Sequence, residues 1–305
     1  QLCDDNALRQ ELERKIIDDI TAKLAADPAP LRQRVLVVAG EDYHPGVIGI
    51  VASHLVERYG KPISMPQTAE NVAERFHITR EEQDAFAVES QRRAAAAIAA
   101  GYFKAEILPV QVKEKKTEFT FDTDEFVKPN TTMEVLAKLR PIVKPDGTVT
   151  AGNSCGLNDG AAALVLMSEK KVRETGMKPR ARILDVVTSA LDPAIMGYGP
   201  YYATHKILER TGMDLSQIDL VELNEAFASQ ALACIRTTPG GIPYDKVNPY
   251  GGAMALGHPM GATGAFLTCK VLDYLQDPET AGTYGMVTMC IGGGMGACGI
   301  YELCK

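Results

Sequence analysis

Three stretches set reactive side chains against glycine-rich backbone. In NPYGGAMALGHPMGATGA, residues 248–265, His258 stands between Gly257 and Pro259 just ahead of a helix start. Glycines let backbone approach a ligand closely, and a helix N-terminus favours negative charge. The plain alternative is a glycine-rich turn with an incidental histidine. In MVTMCIGGGMGACGIYEL, residues 286–303, Cys290 closes an apolar strand just before three consecutive glycines. A single thiol in such a place is ordinarily an inert core residue. The glycines, however, bring backbone N–H groups beside the sulfur, which is what holding a developing oxyanion next to an acid–base thiol requires. In ELNEAFASQ, residues 222–230, Asn224 ends an apolar strand and opens a helix, and in isolation it reads as an ordinary N-cap.

These residues need elements to position them. From residue 181 the chain alternates strand and helix: strands at 181–188, 219–223, 285–291 and 297–303, and helices at 201–212, 225–236 and from the 250–264 loop to 275. Such alternation argues for α/β layers. Upstream, Thr79 with Glu82 forms a capping-box signature for a helix that stops at Gly101. Strand-like runs follow at 107–112 and 117–121, then a capped helix from Thr131, an apolar strand over Ala161–Met167 and a short capped helix at 168–176. Residues 5–27 carry an apolar stripe every fourth position, Leu8, Leu12, Ile16, Ile20 and Leu24, and read as one amphipathic helix. With a strand at 35–39 and a helix at 47–59 it makes a small helix–strand–helix unit.

Composition sets the outer bounds. The chain has 305 residues, 46% hydrophobic and 23% charged, with formal net charge -7. That fits a globular protein with a core and speaks against a general nucleic-acid binder. No apolar run is long enough to span a membrane, and the charged start QLCDDNALRQELERK is not a secretory signal. The first residue is not Met, so the chain reads as a fragment or processed product. Seven scattered cysteines without CxxC pairs fit a reducing cytoplasm, with no disulfide framework and no metal site.

Together with TAENVAERF (68–76), EEQDAFAVESQ (81–91), AKLRP (137–141), TAGNSCGLNDGAAALVL (150–166) and DPAIMGYGP (192–200), in this order, the three motifs resemble the thiolase family over residues 65–305. The resemblance implies an incomplete layered αβαβα fold. It comprises a coenzyme-binding loop domain at 65–157, the end of the N-terminal core domain at 158–178 and the C-terminal core domain at 179–305. It also implies an acyltransferase for Claisen condensation and thiolysis, acting on acetyl-CoA, acetoacetyl-CoA or another 3-ketoacyl-CoA. Coenzyme A enters as substrate, with no permanently bound cofactor, and homo-oligomers are the family's habit.

In that family one cysteine takes the acyl group. A second, matching Cys290, moves the proton at the substrate carbon. The match to His258 activates the nucleophile and, with a water held at Asn224, forms one oxyanion hole; the N–H of Gly292 contributes to another. Coenzyme A contacts are implied at Met65, Lys128, Ser154 and Cys155.

The departures are as specific as the match. No residue of 1–64 resembles the family's nucleophile turn, and Cys3 lacks the glycine and the apolar helix that follow it there. Cys155 aligns where the family places a serine lining the coenzyme pocket, and is a weak rival for nucleophile. Ser64 and Pro66 replace a common His and Gly around Met65. Residues 1–63, with RVLVVAGEDYHPGVIGIVASHLVERYGKPI, resemble an internal piece of a RecJ-type single-strand exonuclease that lacks its metal-binding motif. The reading is a fusion lacking the N-terminal nucleophile half, without turnover unless another chain supplies that half. The alternatives are a non-catalytic coenzyme A-binding remnant and a nucleic-acid-binding fragment.

Overall fold

The computed structural model describes residues 2–27, 64–114, 117–278 and 282–304, which fall in two compact units, 1–64 and 65–305. In the first, α1 (Leu2–Ala26) occupies the expected span, and Ile16, Ile20 and Leu24 of its stripe are buried. The strand expected at 35–39 and the helix at 47–59 lie outside the described residues.

In the second unit, local signals fix most element ends. The α3 helix (Arg80–Ala100) begins as the capping box dictates: Thr79 Oγ1 accepts from Glu82 N (3.2 Å), and Thr79 N donates to the Glu82 carboxylate (2.8 Å). It ends at Gly101, whose φ of +82° favours glycine. Ahead of it lies α2 (Met65–Phe76), with Ala69, Val72 and Ala73 buried. The hairpin strands β1 (Val110–Glu114) and β2 (Thr117–Phe121) follow, the first set three residues later than expected. The helix expected from Thr131 is one turn, α4 (Met133–Leu136), capped by Thr132. Ser168 and Gly176 bound α5 (Glu169–Thr175).

One element is corrected. Ala161–Met167 carries no strand pairing, and Val165 and Leu166 are 83% and 69% exposed. Its composition suits a strand, but a strand exists only where a neighbour completes its backbone hydrogen bonds. Among the described residues none does.

The sheet has order β3-β6-β5-β4, from β3 (Ala181–Ala190), β4 (Leu220–Leu223), β5 (Tyr284–Ile291) and β6 (Met295–Leu303). The β4–β5 pair is parallel and the others antiparallel. Side chains alternate between two covered faces. Val221, Leu223 and Met286 join Ile207 of α6 (Gly199–Thr211), whereas Leu220 and Val287 join Val271 and Leu275 of α9 (Thr263–Gln276). The sheet therefore lies between helices. The remaining helices, α7 (Ala228–Thr237) and α8 (Ala253–Leu256), pack against α3. No helix of the described residues is long and apolar enough to cross a membrane.

This burial carries charge with it. Glu222 and Glu106 are pushed up to about 7, mainly by burial, with Lys270 opposing the shift. An unfolded glutamate titrates near 4.3, so a group moved this far is worth roughly 3 kcal/mol. The folded chain holds these protons where the unfolded chain releases them, so this stabilisation is present below about pH 4.3 and is lost as pH rises to 7. Glu89, held at about 2 by Arg92, with Arg93 assisting against burial, works oppositely: its contribution is present above about 4.3 and is lost as pH falls toward 2. Thermal melts between pH 3 and 9 are expected to peak near pH 4, fall through pH 7 and then level. Glu222→Gln is expected to flatten the alkaline limb; a melting point that climbs from pH 5 to 8 would contradict the assignment.

Candidate functional site

The site is stitched together by residues 153–158. Cys155 N donates to the Ala226 carbonyl (3.0 Å), and Ala228 N donates to the Asn153 carbonyl (3.0 Å). Ser154 pairs with Phe227 as an antiparallel bridge, and Leu157 pairs with His258 as a parallel one. His258 N then donates to the Gly156 carbonyl (2.9 Å). One extended segment thus holds the 224–227 turn on one side and the Gly-His-Pro turn on the other.

That pairing corrects the reading of Asn224 as an N-cap. Ala226 and Phe227 are held extended against 154–155, so α7 starts only at Ala228, with Phe227 as its N-cap residue. Asn224 instead continues the parallel ladder, its N–H donating to the Thr288 carbonyl (3.0 Å), two residues before Cys290. Its side chain is 1% exposed, and neither amide atom has a hydrogen-bond partner among the described residues. Leaving a buried amide unpaired costs about 1–3 kcal/mol.

Asn248 shapes the end of β4. Its side-chain Oδ1 accepts from Leu223 N (2.9 Å), while Nδ2 donates to the Leu223 carbonyl (2.9 Å) and to Glu225 Oε1 (2.7 Å). Glu225 Oε2 accepts from Ser90 Oγ (2.6 Å) and Met254 N (3.3 Å). A Cβ on Gly252 would lie 2.1 Å from the Glu225 carboxyl carbon, so only glycine fits there. Burial, the largest influence, raises the Glu225 carboxyl above the usual range, and these hydrogen bonds oppose it.

His258 is half-buried, which lowers its pKa, so the neutral ring dominates at pH 7. Its Nδ1 meets Thr263 Oγ1 at 2.7 Å. That hydroxyl can give or take the proton, so Nε2 can present either a lone pair or an N–H. Cys290 is buried with Ala226, Phe227 and Met196, and half-buried Cys155 packs against this group. Burial pushes the Cys290 thiol up to about 12, with Cys155 adding to the shift; Cys155 itself is pushed up to about 11, again mainly by burial. Gly292 is exposed in the β5–β6 turn, where Gly293 and Gly294 take the positive φ values.

The other residues singled out in the sequence are more spread. Ser154 Oγ donates to the Thr150 carbonyl (2.6 Å). Lys128 is exposed, its N–H donating to Gln91 Oε1 (2.7 Å) and its ammonium lying 4.0 Å from the Phe126 ring centre. Met65 opens α2, partly exposed. An open cavity of about 560 Å³ is lined by Asn158, Gly160, Pro259 and Met260 among others, and not by His258 itself. Glu225, Asn248, Ser90 and Thr263 were not anticipated. Thr263 at a helix start five residues past His258 is a signal that could have been read; Ser90, 135 residues from Glu225, offers none.

Comparison with known proteins accords with this geometry. A family model described as Thiolase, N-terminal domain matches residues 42–170, and one described as Thiolase, C-terminal domain matches 177–303. Beta-ketothiolase BktB of Cupriavidus necator is 51% identical over 241 residues, 79% of this chain and 60% of that protein. The crystal structure of Bacillus anthracis acetyl-CoA acetyltransferase matches with TM-score 0.76 and 44% identity, covering 79% of this chain and 60% of that one. Human mitochondrial 3-ketoacyl-CoA thiolase in complex with CoA matches with TM-score 0.71 and 40% identity, covering 79% and 59%. These neighbours support the layered αβαβα fold class. The chain spans about three-fifths of the length of these relatives. The N-terminal model begins at residue 42, inside the stretch read as RecJ-like. The matches give no support to that resemblance, nor to a wholly missing N-terminal domain.

Proposed function

This chain belongs to the thiolase family, and on that premise we propose that its site carries out thiolase-type acyl transfer on coenzyme A thioesters. The reaction joins or splits the carbon–carbon bond next to a thioester carbonyl, with acetyl-CoA, acetoacetyl-CoA or another 3-ketoacyl-CoA as substrate. The observation that carries the reading is Asn224, a buried amide with no partner among the described residues, at the strand ends that also bear Cys290. A thioester oxygen, or a water next to it, completes such an amide. His258 adds a second donor through Nε2, and the Gly292 N–H a third. Donors fixed in advance stabilise the enolate oxygen without reorganising.

Cys290 is the proton mover. In exchange its thiolate takes the methyl proton and the resulting thiol returns one to the carbanion carbon; burial favours the thiol, so the oxyanion donors must offset the cost of the thiolate. Lys128, Met65, Ser154 and Cys155 line the path of the coenzyme, the ammonium meeting its phosphates.

The acyl-accepting thiolate comes from polypeptide corresponding to the two-fifths of the relatives outside the match. Without it the chain binds coenzyme A but does not turn over. The exposed apolar run at 161–167, whose first residues also line the open cavity with Pro259 and Met260, supports a face that such polypeptide packs against. The test is exchange of the acetyl-CoA methyl protons with D₂O, followed by NMR. The chain is expected to catalyse exchange, and Cys290→Ala to slow it by at least about 100-fold. No exchange, or exchange indifferent to Cys290, would sink the reading.

A further inference from the structure

The α9 helix touches the strap that carries His258 at both ends. Thr263, in its first turn, meets His258 Nδ1. Lys270, seven residues on in the same helix and so on the same face about 10 Å away, donates from Nζ to the Gly251 carbonyl (3.2 Å). Gly251 and His258 are the two ends of the strap, with α8 between them. Gly251 has φ +82°, and a Cβ there would lie 2.7 Å from Ala94 Cβ and 2.8 Å from the Ser90 carbonyl, so the direction of its carbonyl is set.

Lys270 is an unusual residue for this place. Its side chain is fully buried, with the ammonium 5.5, 5.4 and 5.3 Å from the ring centres of Phe103, Phe266 and Tyr274. Its counter-charge is Glu222, 3.8 Å away and also fully buried, whose carboxylate oxygens have no hydrogen-bond partner among the described residues. Glu222 lies on β4, two residues before Asn224. Glu106, Asp124 and Glu225 also face this charge. A buried ion pair of this kind is weak evidence for stability, because desolvation offsets much of the attraction. Its geometry is better explained by what it joins: the strand that ends at Asn224 and the strap that ends at His258.

We propose that Lys270, paired with Glu222, is a positioning residue that sets the separation of the Asn224 and His258 donors by clamping the Gly251 carbonyl. The proposal rests on the acyl-transfer reading of the site. Removing the ammonium takes one tie from the far end of the strap, where Gly252 N still donates to Ser90 Oγ and Met254 N to Glu225 Oε2, while Thr263 holds the near end, so the imidazole tilts rather than leaves.

The experiment uses the full chain and three variants: Lys270→Met, the double variant Glu222→Gln/Lys270→Met, and Ile207→Val as a control on the other side of the sheet. His258 is titrated by NMR, and acetyl-CoA methyl exchange is measured as maximal rate and half-saturation. Lys270→Met is expected to move the His258 pKa up by about half a unit or more as the ring gains solvent, and to lower the maximal exchange rate about tenfold with half-saturation within twofold. The double variant strands no charge and is expected to behave like Lys270→Met. Ile207→Val is expected to lower the melting temperature without moving either readout. The proposal is overturned if Lys270→Met shifts only the melting temperature. It is equally overturned if the double variant restores His258, which would place the effect in the stranded Glu222 charge. If the unaltered chain shows no exchange, the acyl-transfer reading fails, and the His258 titration alone decides the clamp.

Discussion

Thiolysis of acetoacetyl-CoA by this chain alone is expected to run at least about 10⁴-fold slower than by full-length BktB of Cupriavidus necator assayed beside it. Five of the described thiols give the reason, and exposed Cys304 lies past the end of β6 away from Cys290. Burial pushes Cys155 up to about 11 and Cys234, Cys290 and Cys298 up to about 12, and raises Cys269 as well. A thiol near 11 is a thiolate in about one molecule in 10⁴ at pH 7, and the thiolate is the nucleophile. Cys290 cannot hold an acyl group and also reprotonate the partner carbon. His258 and Asn224 offer oxyanion donors, but donors without an attacking group supply only binding and electrostatic help. The assay follows loss of the enolate absorbance, with Cys155→Ser and Cys290→Ser alongside. Ordinary turnover that Cys155→Ser abolishes would make Cys155 the nucleophile and overturn this account.

The second large effect is expected at Gly296→Ala. Gly296 pairs with Cys290 across the β5–β6 ladder, and its backbone crosses that of Gly199 at the start of α6. An added Cβ would lie 2.2 Å from the Gly199 carbonyl oxygen and 2.3 Å from its carbon. The contact is reciprocal, since a Cβ on Gly199 would lie 2.4 Å from the Met295 carbonyl oxygen. Neither side yields easily, because β6 is hydrogen-bonded on both flanks by β3 and β5. The expected cost is at least about 3 kcal/mol, the upper range for overpacking, read as a large fall in melting temperature or loss of soluble chain. Gly292→Ala is the internal comparison. Nothing lies within 4 Å of its added Cβ and its φ is ordinary, so it is expected to change stability by less than about 0.5 kcal/mol.

Local chemistry made much of the fold legible. Thr79, Glu82 and Gly101 carry a helix's two ends in their own side chains and backbone freedom. The apolar runs of β4 and β5 announced buried strands in the same way. What failed depended on distant partners. Asn224 reads as an N-cap only until Ser154, 70 residues upstream and far from it in the chain, is found pairing with Phe227. Ala161–Met167 has the composition of a strand and lacks the neighbour that would make it one. Lys270 sits in TGAFLTCKVLDYLQ, where a lone lysine looks like the solvent side of a helix. Its burial follows from Phe103 and Glu222, brought from two distant stretches of chain, and from Phe266 and Tyr274 of its own helix. The site shows the same division: His258 and Cys290 stand out by their glycines, whereas Glu225, Ser90 and Asn248 gain meaning only once folded together.

The uncovered run at 161–167 bears on how long the molecule survives. A protease normally waits for a folded chain to open, so its rate follows the population of the open form. Val165 and Leu166 need no such opening, because their side chains already face solvent and their backbone is tied into no ladder. Cleavage there is decoupled from global stability, and substitutions that tighten the core would not slow it. The same apolar, unpaired backbone is what chaperones hold and what strands of other chains pair with. A cover over this solvent-facing segment would therefore protect the chain there from cleavage and from pairing with other chains.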